Sequence, residues 1–471
     1  MMNDAFGDNA KDRKHIKRLA RKIESRMEEL GTAFIDLVDA ETVFHYYIEE
    51  GQLQRADRLL TATRVMYPRS ARVAQLSALL ALENGHNLAA LDHIQEAIAS
   101  APEELEHHLL HAEVLTRNGF YDDARKVLNI MMDRTEFPEE VLIQLGDIAQ
   151  VQGDLTVSER YYRDALALNE NFSPAVYELA ALLEVQGETE KSQALFKGYL
   201  DRNPFDVVSW YELGSLQARL ENYEDSLDAF EYALAIDEDF SEAYYRKALC
   251  LMGLERYQDA LPVLLEVLNR KHVEPHVHYH TAVCYEQIEL YADAGRHFHF
   301  AAKLDQHHAD AWRGLARCFA YREQYIEAIH AYQKAIDLED DQAETYLDIA
   351  ICEYKLGNSH AAGTHMQSAL RIDNSNQKIW LNWASLLTAD NRLSQAIEYL
   401  EVGIGLQPSI AALYYRCAAY LYAANRDSAS FYMLEQGLIL DNGKDYDLCD
   451  VVPEMQQDPA VVRLVKRYGE M

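Results

Sequence analysis

The stretch PHVHYHTAVCYE, residues 275–286, sets His276, His278 and His280 at alternate positions with Cys284 close behind. Imidazoles and a thiolate are zinc ligands, four in a structural site and three plus water in a catalytic one. Whether these converge depends on the backbone. In a strand, alternate residues share a face and the three rings would meet; in a helix His276 and His280 share a face one turn apart while His278 points the other way. Two further patterns invite the same question: His107, His108 and His111 contain an i, i+4 pair, and Cys250, Cys284, Cys318 and Cys352 are spaced by 34 residues. No nucleophile with an adjacent base, glycine-rich phosphate loop or paired-carboxylate constellation stands out, so no catalytic residue is assigned and the chain reads as non-enzymatic.

The elements that must position these residues follow from composition and period. Among 471 residues, 49% are hydrophobic and only 20 are Gly and 10 Pro, which favours helices joined by short connections. A net charge of −33 argues against a nucleic-acid reader, since phosphates would be repelled over most of the surface. The amino terminus lacks an apolar signal-peptide core, no uncharged run of about 18 residues occurs, and six cysteines form no CxxC pair. A soluble, cytoplasmic protein is expected.

WYELGSLQARLENYEDSLDAFEYALAIDEDF from Trp210, YYRKALCLMGLERYQDALPVLLEVL from Tyr244 and WRGLARCFAYREQYIEAIHAYQKAIDLEDD from Trp312 align at offsets of 34 and 68. Extended both ways, the 34-residue frame gives twelve repeats from Leu37 to Lys444 without insertion or deletion. The eighth position is Ala or Gly in all but the first repeat, which has Phe44, and the twentieth is Ala or Ser throughout, from Ala56 to Ser430. Bulky residues such as Tyr162, Phe196, Phe230, Phe298 and Tyr332 recur at the twenty-fourth position. Two backbones must approach closely at the small positions, with the bulky residues as knobs between them.

This pattern closely resembles the tetratricopeptide repeat, over about nine tenths of the chain. The resemblance implies an all-α fold, a right-handed helical solenoid of antiparallel helix pairs. Departures lie in the late proline, kept as Pro68, Pro102, Pro204 and Pro408, and at the twenty-seventh position, where Met131, Tyr199 and Val267 replace Ala. Each amphipathic hairpin is too small to bury its own apolar face, so neighbours must stack and the ends need covers. The chain is therefore divided into a basic N-terminal capping helix (1–36), twelve repeats (37–444) and a C-terminal capping segment and helix (445–471). Ile16, Leu19, Ile23, Met27 and Leu30 form one stripe of the first cap, and Asp458 and Pro459 open the last helix.

The frame returns an answer for the opening stretch. His276, His278 and His280 fall at positions 2, 4 and 6 of a first helix, so His278 is expected between helices, and His276 with His280 is left as a weak metal pair lacking further ligands. No cofactor is expected. The four cysteines share position 10, where Leu182, Leu216 and Leu386 stand elsewhere, and helix spacing keeps them too far apart for disulfides. His111 stands at position 7, usually Leu, and reads as a core residue.

In the family the first helices line a concave groove, with positions 2, 5, 6, 9, 12 and 13 looking into it. The resemblance implies a groove that binds a peptide or protein segment, through a ladder of Tyr177, Tyr211, Tyr245 and Tyr279 at position 5 with Glu178, Glu212 and Arg246 beside it. Tyrosine is also common there for packing alone. Groove positions of the first six repeats hold ten acids against three bases, and those of the last six hold five acids against six bases. A partner with basic residues toward one end and a carboxylate toward the other would be complementary. A clamp that some members use on a terminal carboxylate corresponds to Arg313, Arg317, Asp348, Lys378 and Asn382; the match is partial, because Asp348 is negative. KDRKHIKRLARKIESR, residues 11–26, carries net +6 and leaves −39 on the rest. It reads as a solvated capping helix; the alternatives are binding to nucleic acid or an anionic surface, or docking on the acidic groove of its own or another copy, in competition with the partner. A protein interaction scaffold is thus the leading reading, a helical-repeat RNA-binding protein the runner-up.

Overall fold

The computed structural model describes residues 9–30, 35–270, 274–338, 342–441, 455 and 457–469. The described residues are helices joined by short turns, with no strand among them. First helices of the hairpins begin at Leu37, Ala71, Leu105, Pro138, Ser173, Val207, Ser241, Pro275, Ala309, Ala343, Gln377 and Ala411. All but one of these starts follow the 34-residue spacing; the helix Pro138–Val151 begins one residue early because proline suits a first turn whose N–H would have no helical partner. The chain forms two compact units, Met1–Glu255 and Arg256–Met471.

Packing within each unit follows from the small and large positions. At the twentieth position Ala56, Ala90, Ala124, Ser158, Ser192 and Ser226 in the first unit are all fully buried, as are Ala260, Ala294, Ala328, Ala362, Ala396 and Ser430 in the second. At two of the four serines the hydroxyl finds a carbonyl: Ser226 Oγ donates to Gly214 O at 2.7 Å and Ser430 Oγ to Ala418 O at 2.8 Å. Tyr162, Phe230, Leu264, Phe298 and Leu400 fill the spaces so created without exposure, each worth about 1.5–3 kcal/mol of burial.

The turn between the two helices of a hairpin carries one left-handed residue at a constant position. Glycine supplies it at Gly51, Gly85, Gly119, Gly153, Gly187 and Gly357, whereas Glu221, Glu255, Glu289, Glu323, Asn391 and Asn425 adopt it with φ between 58° and 65°. Positive φ costs a side-chain-bearing residue energy that glycine does not lose.

At the start of the first unit, the helix Asn9–Leu30 lays Ile16, Leu19, Ala20, Ile23 and Met27 against a cluster containing Val43, Phe44 and Tyr47. Phe44, the exception to the small-residue rule, is buried in that contact. The side chain of Leu30 and the segment 445–454 lie outside the described residues. At the end of the second unit, the helix Pro459–Gly469 packs Val461, Leu464 and Val465 against Tyr415, Leu434 and Leu438. Asp458 Oδ1 accepts from Ala460 N at 2.7 Å, opening that helix as the Asp-Pro pair predicts. No helix among the described residues is long and apolar enough to cross a membrane.

Candidate functional site

The first unit holds three of the four tyrosines. The hydroxyl of Tyr177, on the helix Ser173–Val185, donates to Asp206 Oδ1 at 3.2 Å, and Tyr199 Oη donates to the other oxygen at 2.9 Å. Asp206 also caps the next first helix by accepting from Ser209 N at 2.9 Å. Tyr177 is thus tied to the turn ahead of the next hairpin. Tyr211 is half-buried, its ring 5.0 Å from that of Phe240 and 5.8 Å from that of Phe230, and Tyr245 is half-buried as well. Asp206 as the anchor of two tyrosines was not read from the sequence; the only signal is an Asp three residues before a Ser at a helix start.

Beside these rings lie carboxylates of two kinds. Some are neutralised: Arg72 bridges Glu41, through Nε at 2.7 Å, and Glu106; Arg117 pairs with Glu113 at 2.7 Å; Arg219 pairs with Glu184. Others are not. Glu140, Asp147, Glu178 and Glu212 are half-buried on the consecutive first helices Pro138–Val151, Ser173–Val185 and Val207–Arg219, and none makes an ion pair with a described residue. Burial raises the proton affinity of all four. Asp147 is pushed up to about 6, burial outweighing the hydrogen bond it accepts from Tyr162 Oη at 2.7 Å, with Glu178 and Glu113 adding like charge. For Glu212 the cations Arg219 and Arg246 oppose the burial effect only in part, and Arg246 itself is exposed. Exposed Val151 and Val185 close these helices at equivalent positions. The face therefore offers carboxylates that are not held in ion pairs among the described residues, interleaved with tyrosine rings and apolar side chains.

The second unit differs at its clamp positions, where Arg313, Arg317 and Lys378 each have a carboxylate neighbour. Arg317 makes two parallel bonds to Glu286, at 2.7 and 2.8 Å, the bidentate geometry that makes an arginine–carboxylate pair strong. Arg313 contacts Asp310 and Gln342, and Lys378 lies 3.7 Å from Glu344. Asn382 Nδ2 donates to Lys378 O at 2.9 Å within its own helix, and Asp348 accepts from Tyr332 Oη at 3.0 Å. The clamp positions thus present charge that is internally paired. Tyr279 packs its ring 4.8 Å from that of His308 and 5.8 Å from that of Phe298.

The helix Pro275–Gln287 separates the three histidines as a helical period requires. His278 Nδ1 lies 3.1 Å from His297 Nδ1 on the next helix, with Phe300 against its ring. His276 Nδ1 sits 3.2 Å from Glu274. His280 is pushed down to about 4 by burial and then by His276 and His308. Among the described residues no group of three or more His, Cys, Asp or Glu is placed to hold a cation. Cys250, Cys284, Cys318 and Cys352 are buried and unpaired, and burial pushes the last three up to about 12, which leaves them protonated core groups. His107 is buried with Nδ1 3.2 Å from Ala101 O, and His108 Nε2 lies 2.7 Å from Pro102 O, so each ring is engaged with its own turn.

A sequence profile of the tetratricopeptide repeat matches residues 76–135, 143–207 and 211–272. No curated protein matches in sequence. Among solved structures, YrrB, described as a TPR protein with an unusual peptide-binding site, is 17% identical, with 39% of this chain and 95% of that one covered at a TM-score of 0.37. MamA from Desulfovibrio magneticus RS-1 is 21% identical over 36% of this chain and 94% of its own, with a TM-score of 0.34. The C-terminal part of a TPR repeat-containing protein from Cytophaga hutchinsonii is 16% identical over 50% and 96%, with a TM-score of 0.43.

Proposed function

We propose, from the premise that the chain belongs to the tetratricopeptide-repeat family, that it is a non-enzymatic interaction scaffold whose first unit captures a protein segment bearing lysine or arginine. In this reading the twelve repeats (37–444) supply the surface, and residues 1–36 and 445–471 act as caps through the helices Asn9–Leu30 and Pro459–Gly469. The observation that carries the reading is the contrast in charge pairing. Glu140, Asp147, Glu178 and Glu212 are desolvated without an ion pair to a described residue, whereas Arg72, Arg219, Arg313 and Arg317 on the first helices each pair with a carboxylate. Carboxylates held this way lose solvation without gaining a partner, and an incoming ammonium or guanidinium restores what burial removed. Tyr211, Tyr245, Val151 and Val185 provide ring and apolar area for the intervening side chains.

The arginines at the clamp positions weigh against a carboxylate-tail ligand, because Arg313 and Arg317 would first have to leave Asp310 and Glu286. Nucleic acid is disfavoured by the same bare carboxylates. The test is titration calorimetry of the full chain with a synthetic peptide alternating lysine and valine, its glutamate–valine counterpart, and single-stranded RNA. Binding of the lysine peptide alone, weakening as salt is raised, is expected; equal binding of the two peptides, or tight RNA binding, would reject the reading. The Tyr211→Ala, Tyr245→Ala double variant should bind the lysine peptide about tenfold more weakly if the rings take part.

A further inference from the structure

The N-terminal helix Asn9–Leu30 carries a face that its own packing does not use. Ile16, Leu19, Ala20, Ile23 and Met27 face the first hairpin, and Tyr47 Oη donates to Glu24 at 2.9 Å beside that contact. Lys17, Arg18, Arg21 and Lys22 lie on the opposite side of the helix. All four are exposed, and none makes an ion pair with a described residue. Uncompensated bases and uncompensated acids therefore occur in one unit. They cannot neutralise each other within it: the basic helix is held on Leu37–Glu49, whereas Glu140 stands three first helices further along, roughly 30 Å at about 10 Å per packed helix.

We infer that the basic face of the N-terminal helix docks on the acidic first-helix face of a second copy of this chain. The inference rests on the reading above, since it assigns one occupant to the same surface. Charge complementarity selects that occupant, because the basic helix presents four cations on a rigid, already packed element and so loses little conformational entropy on docking. The contact is head-to-tail rather than two-fold, so each added copy leaves an unused face at either end, and assembly grows until a ring closes or salt stops it. An external basic segment would compete with it for the same carboxylates.

The experiment is light-scattering mass against protein concentration at low and high salt, with two variants. One reverses the basic face (K17E, R18E, R21E and K22E together); the other reverses the acidic one (Glu178→Lys with Glu212→Lys). Wild type is expected to exceed the single-chain mass of 53.9 kDa as concentration rises and to return to it in high salt. Each variant alone should stay a single chain. Mixed in equal amounts at low salt, the two should associate again, because the intact basic helix of one meets the intact acidic face of the other and the two reversed faces also suit each other. Wild type that stays a single chain at low salt, or a basic-face variant that assembles like wild type, would overturn the inference. Titrating the lysine–valine peptide into the basic-face variant separates the two ideas: peptide binding with no wild-type assembly sinks the assembly alone, and absence of both sinks the binding reading too.

Discussion

At the scale of single residues, two positions hold energy that the fold does not require. Glu221, Glu289 and Glu323 occupy the left-handed turn position that glycine fills at Gly153 and Gly187. Glu289→Gly or Glu323→Gly should raise stability by roughly 0.5–1 kcal/mol, the strain relieved less the entropy that glycine brings, as read from denaturant midpoints. Asp147 is the second. Its proton affinity is raised to about 6, so at neutral pH its charge opposes folding, and the penalty disappears once the pH falls below the ordinary aspartate range and both states are protonated. Asp147→Asn keeps an acceptor for Tyr162 and should add on the order of 1 kcal/mol at pH 7, none at pH 3.5, while weakening lysine-peptide binding. The left-handed turn was legible where glycine marks it and hidden where glutamate does, because glutamate's local preference is helical. The desolvation of Asp147 was not legible at all, since it depends on what surrounds one carboxylate in three dimensions.

At the scale of the hairpin, small and large positions alone were enough to place the helices. Gly214 shows why: a Cβ there would come 2.9 Å from Phe230 Cε1, so Gly214→Val should cost about 1–3 kcal/mol by overpacking, detectable as a lowered thermal midpoint. The histidines illustrate a reading that needed the frame. Residues 275–286 alone fit a strand with three converging rings; the repeat turns them into a helix, and His278 meets His297 instead of its neighbours. Burial, then His278 and Arg296, push His297 down to about 4, with Asp293 opposing. A depressed histidine contributes stability that is complete above pH 6.5 and is lost as pH falls toward 4. Wild type should therefore lose more stability between pH 7 and pH 4.5 than His297→Gln, measured by denaturant unfolding at the two pH values.

At the scale of the whole molecule, the proposed function makes the excess of acid over base what selects a partner. A net charge of −33 attracts basic segments in general, and in the proposed reading that attraction becomes a site where carboxylates are desolvated and unmatched. The sequence showed the acidic bias of the first six repeats, yet it could not tell Glu106, matched by Arg72, from Glu178, matched by nothing. That distinction needs side-chain geometry across helices about 34 residues apart in sequence. The most direct measurement is peptide preference after reversing charge at the bare positions of the full chain, Glu178→Lys with Glu212→Lys. The account predicts that lysine–valine peptide affinity falls by tenfold or more and that the glutamate–valine peptide now binds; unchanged affinity for the lysine peptide would contradict it.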